Sequence, residues 1–384
     1  MLQHVERRAD DHEEETTMPF ADELINDRTA QSLILAVRTV LPSAELTSLH
    51  AAERQLAPLA LRQRADLLRD ALLADVPGDY AELARVVRAA KDSAPVFVGW
   101  LVWPVTSAVA TKAVAEDTAE AFDDAMALLA ELTGRLTSEF ALRVLLRHDV
   151  DRGLGIVAGW TLSPDADVRR LASEGTRPYL PWSIRVPDLI ARPGVTVPVL
   201  DALYGDESEY VRRSVANHLN DLSRDHADLV VATARRWSEA PAPTTGALVR
   251  HGLRTLVKRG HPGALELLGF APATVEVDGP LLDRVRVAFG GSIRFTAVIR
   301  NAGAEEARLA IDYVVHHNKA NGSQSAKTFK LTTRTLGPGE AMEVTREHSF
   351  RPITTRRYHP GAHAIALQIN GVASARAEFE LQAP

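Results

Sequence analysis

Three stretches with the same opening decide the fold of the helical part of this chain: VRRLASEGTRPYL (168–180), VRRSVANHLNDLS (211–223) and VRHGLRTLVKRGH (249–261). They begin 43 and 38 residues apart, and acidic turns, SPDAD and GDESEY, precede the first two. A period near 40 with a Val-Arg-Arg/His start on the second helix is typical of HEAT-type helical hairpins. Such hairpins bury their apolar faces by stacking, so we predict an α-solenoid with a concave surface.

Around the repeats, apolar residues recur at three- and four-residue spacing from about residue 20 to residue 268, as in LRQRADLLRDALLADV (61–76), which predicts helices. Near residue 270 the pattern changes to alternating segments between Gly, Pro and Asn turns, of which RVRVAF (284–289) is the first. About seven such segments in a hundred residues are typical of an immunoglobulin-like β-sandwich. We predict three parts: an acidic disordered tail at 1–18, a HEAT-like-repeat domain at 19–269 and the sandwich at 272–384.

The composition limits the cellular compartment that is expected and the kinds of site that the chain can form. The 384 residues include no cysteine, which excludes disulfides, thiolate metal sites and cysteine nucleophiles and favours a reducing, cytoplasmic compartment. The first twenty residues lack the apolar core of a secretory signal. Residues 93–111, SAPVFVGWLVWPVTSAVAT, carry no charge, but Pro104 interrupts them, and a membrane span needs ~20 predominantly apolar residues. We therefore expect a buried helix pair there and no membrane partner.

The net charge of −6 conceals an asymmetry along the chain. Residues 1–132 carry 12 Lys/Arg and 23 Asp/Glu residues, a balance of −11, whereas residues 133–260 carry 18 and 15, a balance of +3. Residues 261–384 carry 14 and 12, a balance of +2. Such asymmetry accompanies polyanion binding in some proteins and is only a solvated surface in others, so both interpretations stay open.

A cluster of charged side chains is expected on the concave face of the repeats. If the first repeat helix continues to Arg177, then Arg170, Glu174 and Arg177 lie on one face at i, i+4 and i+7. In the next repeat Asn217 takes the register of Glu174, and Asp221 follows one turn later. Stacked repeats would bring these side chains together.

The preceding helix adds a second acid to this cluster. SEFALRVLLRHD (138–149) places Glu139 one turn before Arg143, and stacking is expected to set Glu139 beside Glu174, with Trp182 at the rim. The alternative is that these acid–arginine pairs are ordinary helix surface pairs, each worth about 0.3–0.5 kcal/mol, and that Trp182 is a core residue at a helix end.

The runs LTSEFALR (136–143), RRLASEGTRPYLPW (169–182) and ANHLNDLSRDHAD (216–228) resemble the AlkC family of DNA alkylation-repair glycosylases, relatives of the AlkD-type enzymes built from HEAT-like repeats. The similarity covers nearly the whole helical part. YVVHHNKANGSQSAKTFKL (313–331) is similar to the immunoglobulin-like domain found in one branch of that family. The chain departs from the family at Arg143-Val144-Leu145, where members often carry Arg-Pro-Phe.

The resemblance implies a monomeric enzyme that hydrolyses the N-glycosidic bond of cationic N-alkylated bases, such as 3-methyladenine and 3-methylcytosine, in double-stranded DNA. It also implies no metal, no organic cofactor, and cleavage without full extrusion of the base. Glu174 and Glu139 match the acidic active-site residues of the family. Trp182, Arg170 and Asp221 match positions around the lesion and the DNA backbone.

Carboxylates suit this chemistry because an alkylated ring nitrogen carries positive charge and an oxocarbenium-like sugar develops as the glycosidic bond breaks. Arginine neighbours, among them Arg143 and Arg177, keep such acids ionised and face phosphate, while an indole ring favours a cationic base. Asn217 joins these DNA-binding candidates because of its register.

The loop HHNKANGSQSAKTFK (316–330), with Lys319, Lys327 and Lys330, is a further candidate for DNA contact, since lysines bind phosphate without regard to sequence. A solvated hairpin loop is the alternative. For the whole chain, the alternative to a glycosylase is a non-enzymatic HEAT-repeat scaffold that binds DNA or protein through its concave face. A scaffold would tolerate Glu174→Gln.

Overall fold

The computed structural model describes residues 24–353 and 357–384, so the acidic tail expected at 1–18 lies outside the described residues. The chain divides into two compact units. The first runs to Thr176 and includes Leu180–Asp188, and the second comprises Arg177–Tyr179 and Leu189–Pro384. This division falls inside the helical part, and the domain boundary placed at 269–272 from the sequence stays a prediction.

The first unit is helical throughout its described residues. Short 3₁₀ turns at Gly99–Leu101 and Thr133–Arg135 precede two of its helices. The helices are α1 Asp27–Val40, α2 Thr47–Glu53, α3 Leu61–Asp75, α4 Tyr80–Ser93, α5 Val102–Glu116, α6 Ala119–Leu132, α7 Glu139–His148, α8 Val150–Trp160 and α9 Ala166–Glu174. Helix α3 packs on α5, and α5 packs on α7, as expected for stacked hairpins.

Helix α5 corrects one expectation, because residues 93–111 contain one long buried helix after a 3₁₀ turn rather than a helix pair. Every residue from Val102 to Ala110 is buried. Pro104 does not break the helix because it occupies the first turn, where a backbone N–H has no intrahelical partner. No helix among the described residues is long and apolar enough to span a membrane.

The second unit continues the helical repeats. Val211 is the third residue of α12 (Glu209–Leu222), as Val168 is of α9, whereas Val249 lies in the middle of α14 (Thr245–Gly252). The predicted helical repeat is confirmed. Helix α12 packs on both α13 and α14. The helices that follow α9 are α10 Pro187–Ala191, α11 Val197–Leu203, α12 Glu209–Leu222, α13 Ala227–Glu239, α14 Thr245–Gly252, α15 Arg254–Lys258 and α16 Pro262–Leu267, with a 3₁₀ turn at Pro193–Thr196 before α11.

The last part of the second unit is the predicted β-sandwich. The strands are β1 Val275–Leu282, β2 Arg286–Val287, β3 Ser292–Asn301, β4 Ala307–Asn318, β5 Gln324–Leu336, β6 Ala341–Ser349, β7 Gly361–Ile369, β8 Val372–Ala373 and β9 Ala377–Leu381. One sheet has the order β1-β3-β6, and the other has the order β2-β9-β7-β4-β5, with β8 paired to β7. The core between them holds Phe295, Ile311, Tyr313 and Ile365.

The first strand lies earlier than the sequence pattern indicated. RVRVAF (284–289) contributes only the two-residue β2, while the full-length edge strand is β1, which pairs antiparallel with β3. The segment Val275–Leu282 was missed because it contains Gly279 and Pro280, which interrupt the alternation. The register of β1 shifts at that point, between Asp278 and Leu281.

Candidate active site

Two buried carboxylates share one arginine in the first unit. The Glu139 and Glu174 side chains are 10% and 8% exposed, and that of Arg170 is 15% exposed. Arg170 donates through Nη1 to Glu139 Oε2, and its Nη2 lies 3.6 Å from Glu174 Oε1. We call these three residues the carboxylate cluster. Burial disfavours an unpaired charge, so two buried acids need a cation between them. Acid–arginine pairs on an exposed helix surface are solvated and have no such requirement.

Thr137 completes the setting of Glu139 and was not found from the sequence. Its Oγ1 donates to Glu139 Oε2 at 2.8 Å and accepts from Arg170 Nη1 at 3.2 Å. The Glu139 backbone N–H also donates to Thr137 Oγ1 at 3.3 Å. A threonine two residues before the acid was visible in LTSEF, but a hydroxyl there is common in any helix-start turn.

Burial raises the pKa of the Glu139 carboxyl above its ordinary value of 4.5, and the negative charge of Glu174 adds to this effect. The charge of Arg170 and the hydrogen bonds from Thr137 and Arg170 act in the opposite direction. Two carboxylates held this close repel each other, so the shared guanidinium is what allows both to carry charge. The cluster therefore concentrates negative potential at one buried point.

The two acids lie at opposite ends of their helices. Glu139 is the first residue of α7, where the helix dipole favours an anion, and Glu174 is the last residue of α9, where the dipole disfavours one. Because α9 ends at Glu174, the expectation that Arg177 continues the same helical face is wrong. Arg177 precedes Pro178, and a residue before proline is sterically driven out of the helical region.

Arg143 holds the chain that follows Glu174. It is fully buried, and its Nε donates to the carbonyl of Ile184 at 2.7 Å while Nη1 donates to that of Gly175 at 3.2 Å. Glu139 pairs with Arg170. In this structure Arg143 therefore fixes the backbone on both sides of the 176–183 segment, and a role in DNA contact stays a prediction.

Trp182 is held in a strained backbone conformation at the half-buried edge of the first unit. Its φ is +57°, a left-handed value that a bulky residue rarely adopts. Its ring centroid lies 6.5 Å from that of Trp100, which in turn lies 6.2 Å from Trp103. Trp103 stacks on Phe140, the neighbour of Glu139, at 4.1 Å. Trp100 was missed because the run around it was interpreted as a core helix.

A second charged group lies in the other unit. Arg177 donates to Asp221 through Nε at 2.8 Å and through Nη2 at 3.1 Å, a bidentate pair. Burial lowers the pKa of the nearby Arg254, and the charge of Asp221 opposes this while that of Arg177 adds to it. We call Arg177, Asp221 and Arg254 the basic cluster, since two guanidinium groups surround one carboxylate.

Asn217 does not act alone at the register of Glu174. Its Oδ1 accepts from Arg254 Nη2 at 3.1 Å and lies 3.0 Å from His251 Nε2. Both partners belong to the third repeat stretch, so Asn217 joins successive repeats through hydrogen bonds. This neutral amide beside the basic cluster contrasts with the acid at the same register in the preceding repeat.

The lysines of the sandwich are placed differently from expectation. Most of 316–330 belongs to β4 and β5, and only 319–323 form the turn, in which the Lys319 N–H donates to the carbonyl of Ser323 at 2.8 Å. Lys319 is exposed in this turn, whereas Lys327 lies on β5 with its Nζ 5.2 Å from the centre of the Phe329 ring. The expectation that 316–330 forms one loop was wrong, because SQSAKTFK alternates as a strand does.

Within residues 24–353 and 357–384, no group of three or more His, Asp or Glu side chains is arranged to hold a metal ion.

Comparisons with known proteins place these features in a family. Residues 276–383 match the family model described as the C-terminal Ig-like domain of the uncharacterised protein YhaZ. The chain is 32% identical over 324 residues to the uncharacterized protein YhaZ of Bacillus subtilis (strain 168), an alignment that covers 84% of this chain and 88% of that protein.

A solved structure agrees over almost the whole chain. It is that of the Pseudomonas fluorescens alkylpurine DNA glycosylase AlkC bound to DNA containing an abasic site analog. The TM-score is 0.83 at 33% identity, with 95% of this chain and 100% of that chain covered. The protein therefore belongs to the AlkC family of DNA glycosylases, in the branch that carries a C-terminal immunoglobulin-like domain.

Proposed function

We propose that this protein removes cationic N-alkylated bases, 3-methyladenine and 3-methylcytosine, from duplex DNA by hydrolysing their N-glycosidic bond. The observation that carries the proposal is the carboxylate cluster, in which two buried acids share the single guanidinium of Arg170. Support also comes from the AlkC structure, whose abasic site analog stands in for the sugar that remains after a base has left.

The chemistry follows from the charge of the lesion. When the bond between C1′ and the base nitrogen breaks, its electron pair neutralises the cationic base, and positive charge develops on the sugar. Negative potential from Glu174 and Glu139 stabilises that charge, and a carboxylate accepts a proton as water adds to C1′. The leaving base needs no proton, so the site requires acids in their ionised form and no acid catalyst.

The remaining residues supply recognition in this proposal. The Trp182 ring favours a cationic base over a neutral one through cation–π attraction. Arg177 and the exposed Lys319 and Lys327 contribute affinity for phosphate that falls with salt. The enzyme acts as a monomer, since each lesion requires one set of carboxylates, and sedimentation velocity of the DNA complex tests this stoichiometry.

We propose further that the base is cut without full extrusion from the helix, although enzymes acting on bases generally flip them. A fluorescent 2-aminopurine placed beside the lesion reports unstacking. We expect little rise in its emission on binding, whereas a several-fold rise would indicate extrusion.

The proposed activity is tested by incubating the full chain with methylated duplex DNA and measuring the released bases by chromatography. Release of 3-methyladenine and 3-methylcytosine, with abasic sites formed in equal number, is the expected result. Undamaged DNA serves as the control. If no base is released while the protein binds the same DNA, the non-enzymatic scaffold accounts for the chain instead.

A further inference from the structure

A cavity of about 610 Å³ lies within the second unit, between the last helical repeat and the outer face of the larger sheet. This volume is in the range of small-molecule sites, ~300–1,000 Å³. Its floor is apolar, and the side chains that form it are Val249, Val257, Leu267, Leu268 and Phe270. Neither the carboxylate cluster nor the sandwich core contributes to it.

The charged lining of the cavity is almost entirely positive. Three cations, Arg250, Lys258 and Lys330, form no side-chain hydrogen bond or ion pair within the described part of the chain. Arg254 and Arg308 also line the cavity, but they donate to Asn217 and to the carbonyl of Leu268 respectively. Three unpaired cations around an apolar floor are matched by a ligand with an anionic head and an organic body.

One carboxyl, Asp312, lies among these cations. Burial raises its pKa to about 6, and the charges of Lys258 and Lys330 oppose that rise. It has no hydrogen bond or ion pair within residues 24–353 and 357–384. An anion bound here would be repelled by ionised Asp312, so removing that charge should strengthen binding.

The walls of the cavity are held together by close backbone contacts. Gly260 and Gly371 both have positive φ, of 74° and 85°, and a Cβ at Gly371 would lie 2.3 Å from the carbonyl oxygen of Gly260. Asn370 Nδ2 donates to the carbonyl of Ala271 at 2.8 Å, and Gln368 donates to that of Lys258 at 3.3 Å. Only glycines allow this approach, and it fixes the turn after α15 against the β7–β8 turn.

We propose that this cavity binds a phosphate ester, with the phosphate held by Arg250, Lys258 and Lys330 and the organic part on the apolar floor. A free mononucleotide and a DNA backbone both present this chemistry. The proposal does not rest on the glycosylase activity, because binding is measured with undamaged ligands and without turnover.

The test titrates adenosine monophosphate into the full chain by calorimetry at pH 7.5. We expect saturable binding that weakens about tenfold or more in Lys258→Gln and in Lys330→Gln, since each removes a charged hydrogen bond. Asp312→Asn should bind several-fold more tightly. Arg334→Gln is the matched control because Arg334 is exposed on the same strand as Lys330 but does not line the cavity.

A second titration, with undamaged duplex DNA, identifies the source of the phosphate. If Lys258→Gln and Lys330→Gln lower DNA affinity and its salt dependence while Arg334→Gln does not, the cavity takes a backbone phosphate. If they weaken only mononucleotide binding, a free ester is the ligand. The proposal is overturned if neither ligand distinguishes these variants from Arg334→Gln while thermal unfolding confirms that all are folded.

Discussion

The repeats at 168–180 and 211–223 share one structural device. In each, the first arginine ties the helix to the acidic turn before it. Arg169 donates to the carbonyls of its turn at 2.9 and 3.1 Å, and Arg212 donates to two carbonyls of its own turn, both at 2.7 Å. The first arginine of the shared opening therefore serves the fold rather than the chemistry.

The second arginine separates the two repeats. Arg170 is buried between Glu139 and Glu174, whereas Arg213 pairs on the surface with Glu209 at 2.8 Å, both side chains being more than two thirds exposed. Each repeat thus contains an i,i+4 acid–arginine pair, yet only one is buried and shared with a second acid. Burial and the added acid, not the spacing, distinguish a candidate site from a surface pair on one scaffold.

The largest difference between the two repeats is expected when the acid of each i,i+4 acid–arginine pair is neutralised. Glu174→Gln should lower the rate of base release about a thousandfold, within the range expected for a lost general base. Glu209→Gln should leave the rate unchanged, because its pair is exposed. Single-turnover kinetics on methylated duplex DNA measures both. Equal effects in the two variants would mean that burial confers no special role on Glu174.

Neutralising the two arginines is the next test. Arg170→Gln should slow base release about a hundredfold, because the two acids lose the group that orients them and keeps both ionised. Arg213→Gln should have the rate of the unmodified protein. Circular dichroism checks that both variants fold. An unchanged rate in Arg170→Gln would show that the carboxylates function without a shared cation.

Trp182 is a further difference between the two repeats, since the second repeat has no counterpart to it. Trp182→Asn removes the ring but keeps a residue that tolerates the left-handed backbone. We expect release of a cationic base to fall about five- to thirtyfold relative to a neutral lesion, from a lost cation–π attraction of ~1–2 kcal/mol. Trp182→Phe should retain most of the preference. Equal losses for both lesions would assign Trp182 to structure alone.

The basic cluster should respond in affinity rather than rate. Arg177→Gln is expected to weaken binding of duplex DNA and to reduce the slope of log affinity against log salt by about one, as for one lost phosphate contact. Fluorescence anisotropy between 50 and 200 mM salt measures the slope. An unaltered slope with a reduced rate would place Arg177 with the chemistry instead.

The smallest expected effect is a shift in pH dependence. Because burial raises the pKa of Glu139 above 4.5, base release should increase with pH over a window above that value as Glu139 ionises. Stability has the opposite sign: the folded state binds this proton more tightly, so its contribution is lost as pH rises through the folded pKa. Glu139→Gln should remove both dependences, measured by rate profiles and by urea unfolding. Their persistence would assign them to another group.

The sequence predicted the features that depend on periodicity. Helical spacing, the repeat period and the change near residue 270 follow from which side chains must be buried, and the helical and sandwich parts are confirmed. The meeting of Glu139 and Glu174 was predicted from stacking. Their common partner Arg170 was expected to pair only with Glu174, which lies one turn away on the same helix.

The features that were missed depend on single residues in particular settings. Pro104 was taken as an interruption but lies in a first helical turn, while Pro178 ends the helical face assumed for Arg177. Trp100 was missed because an apolar run does not indicate which aromatic ring lies beside Trp182 at the edge of the first unit. Lys327 was assigned to a loop although strand pairing continues to the turn at Lys319.

One measurement tests the central claim that the carboxylate cluster performs chemistry while the basic cluster binds DNA. Single-turnover rate at saturating protein and DNA dissociation constant are determined together for Glu174→Gln and Arg177→Gln. We expect Glu174→Gln to lose the rate and keep the affinity, and Arg177→Gln to lose affinity and keep the saturated rate. If both variants lose the same quantity, the division of roles between the two clusters is contradicted.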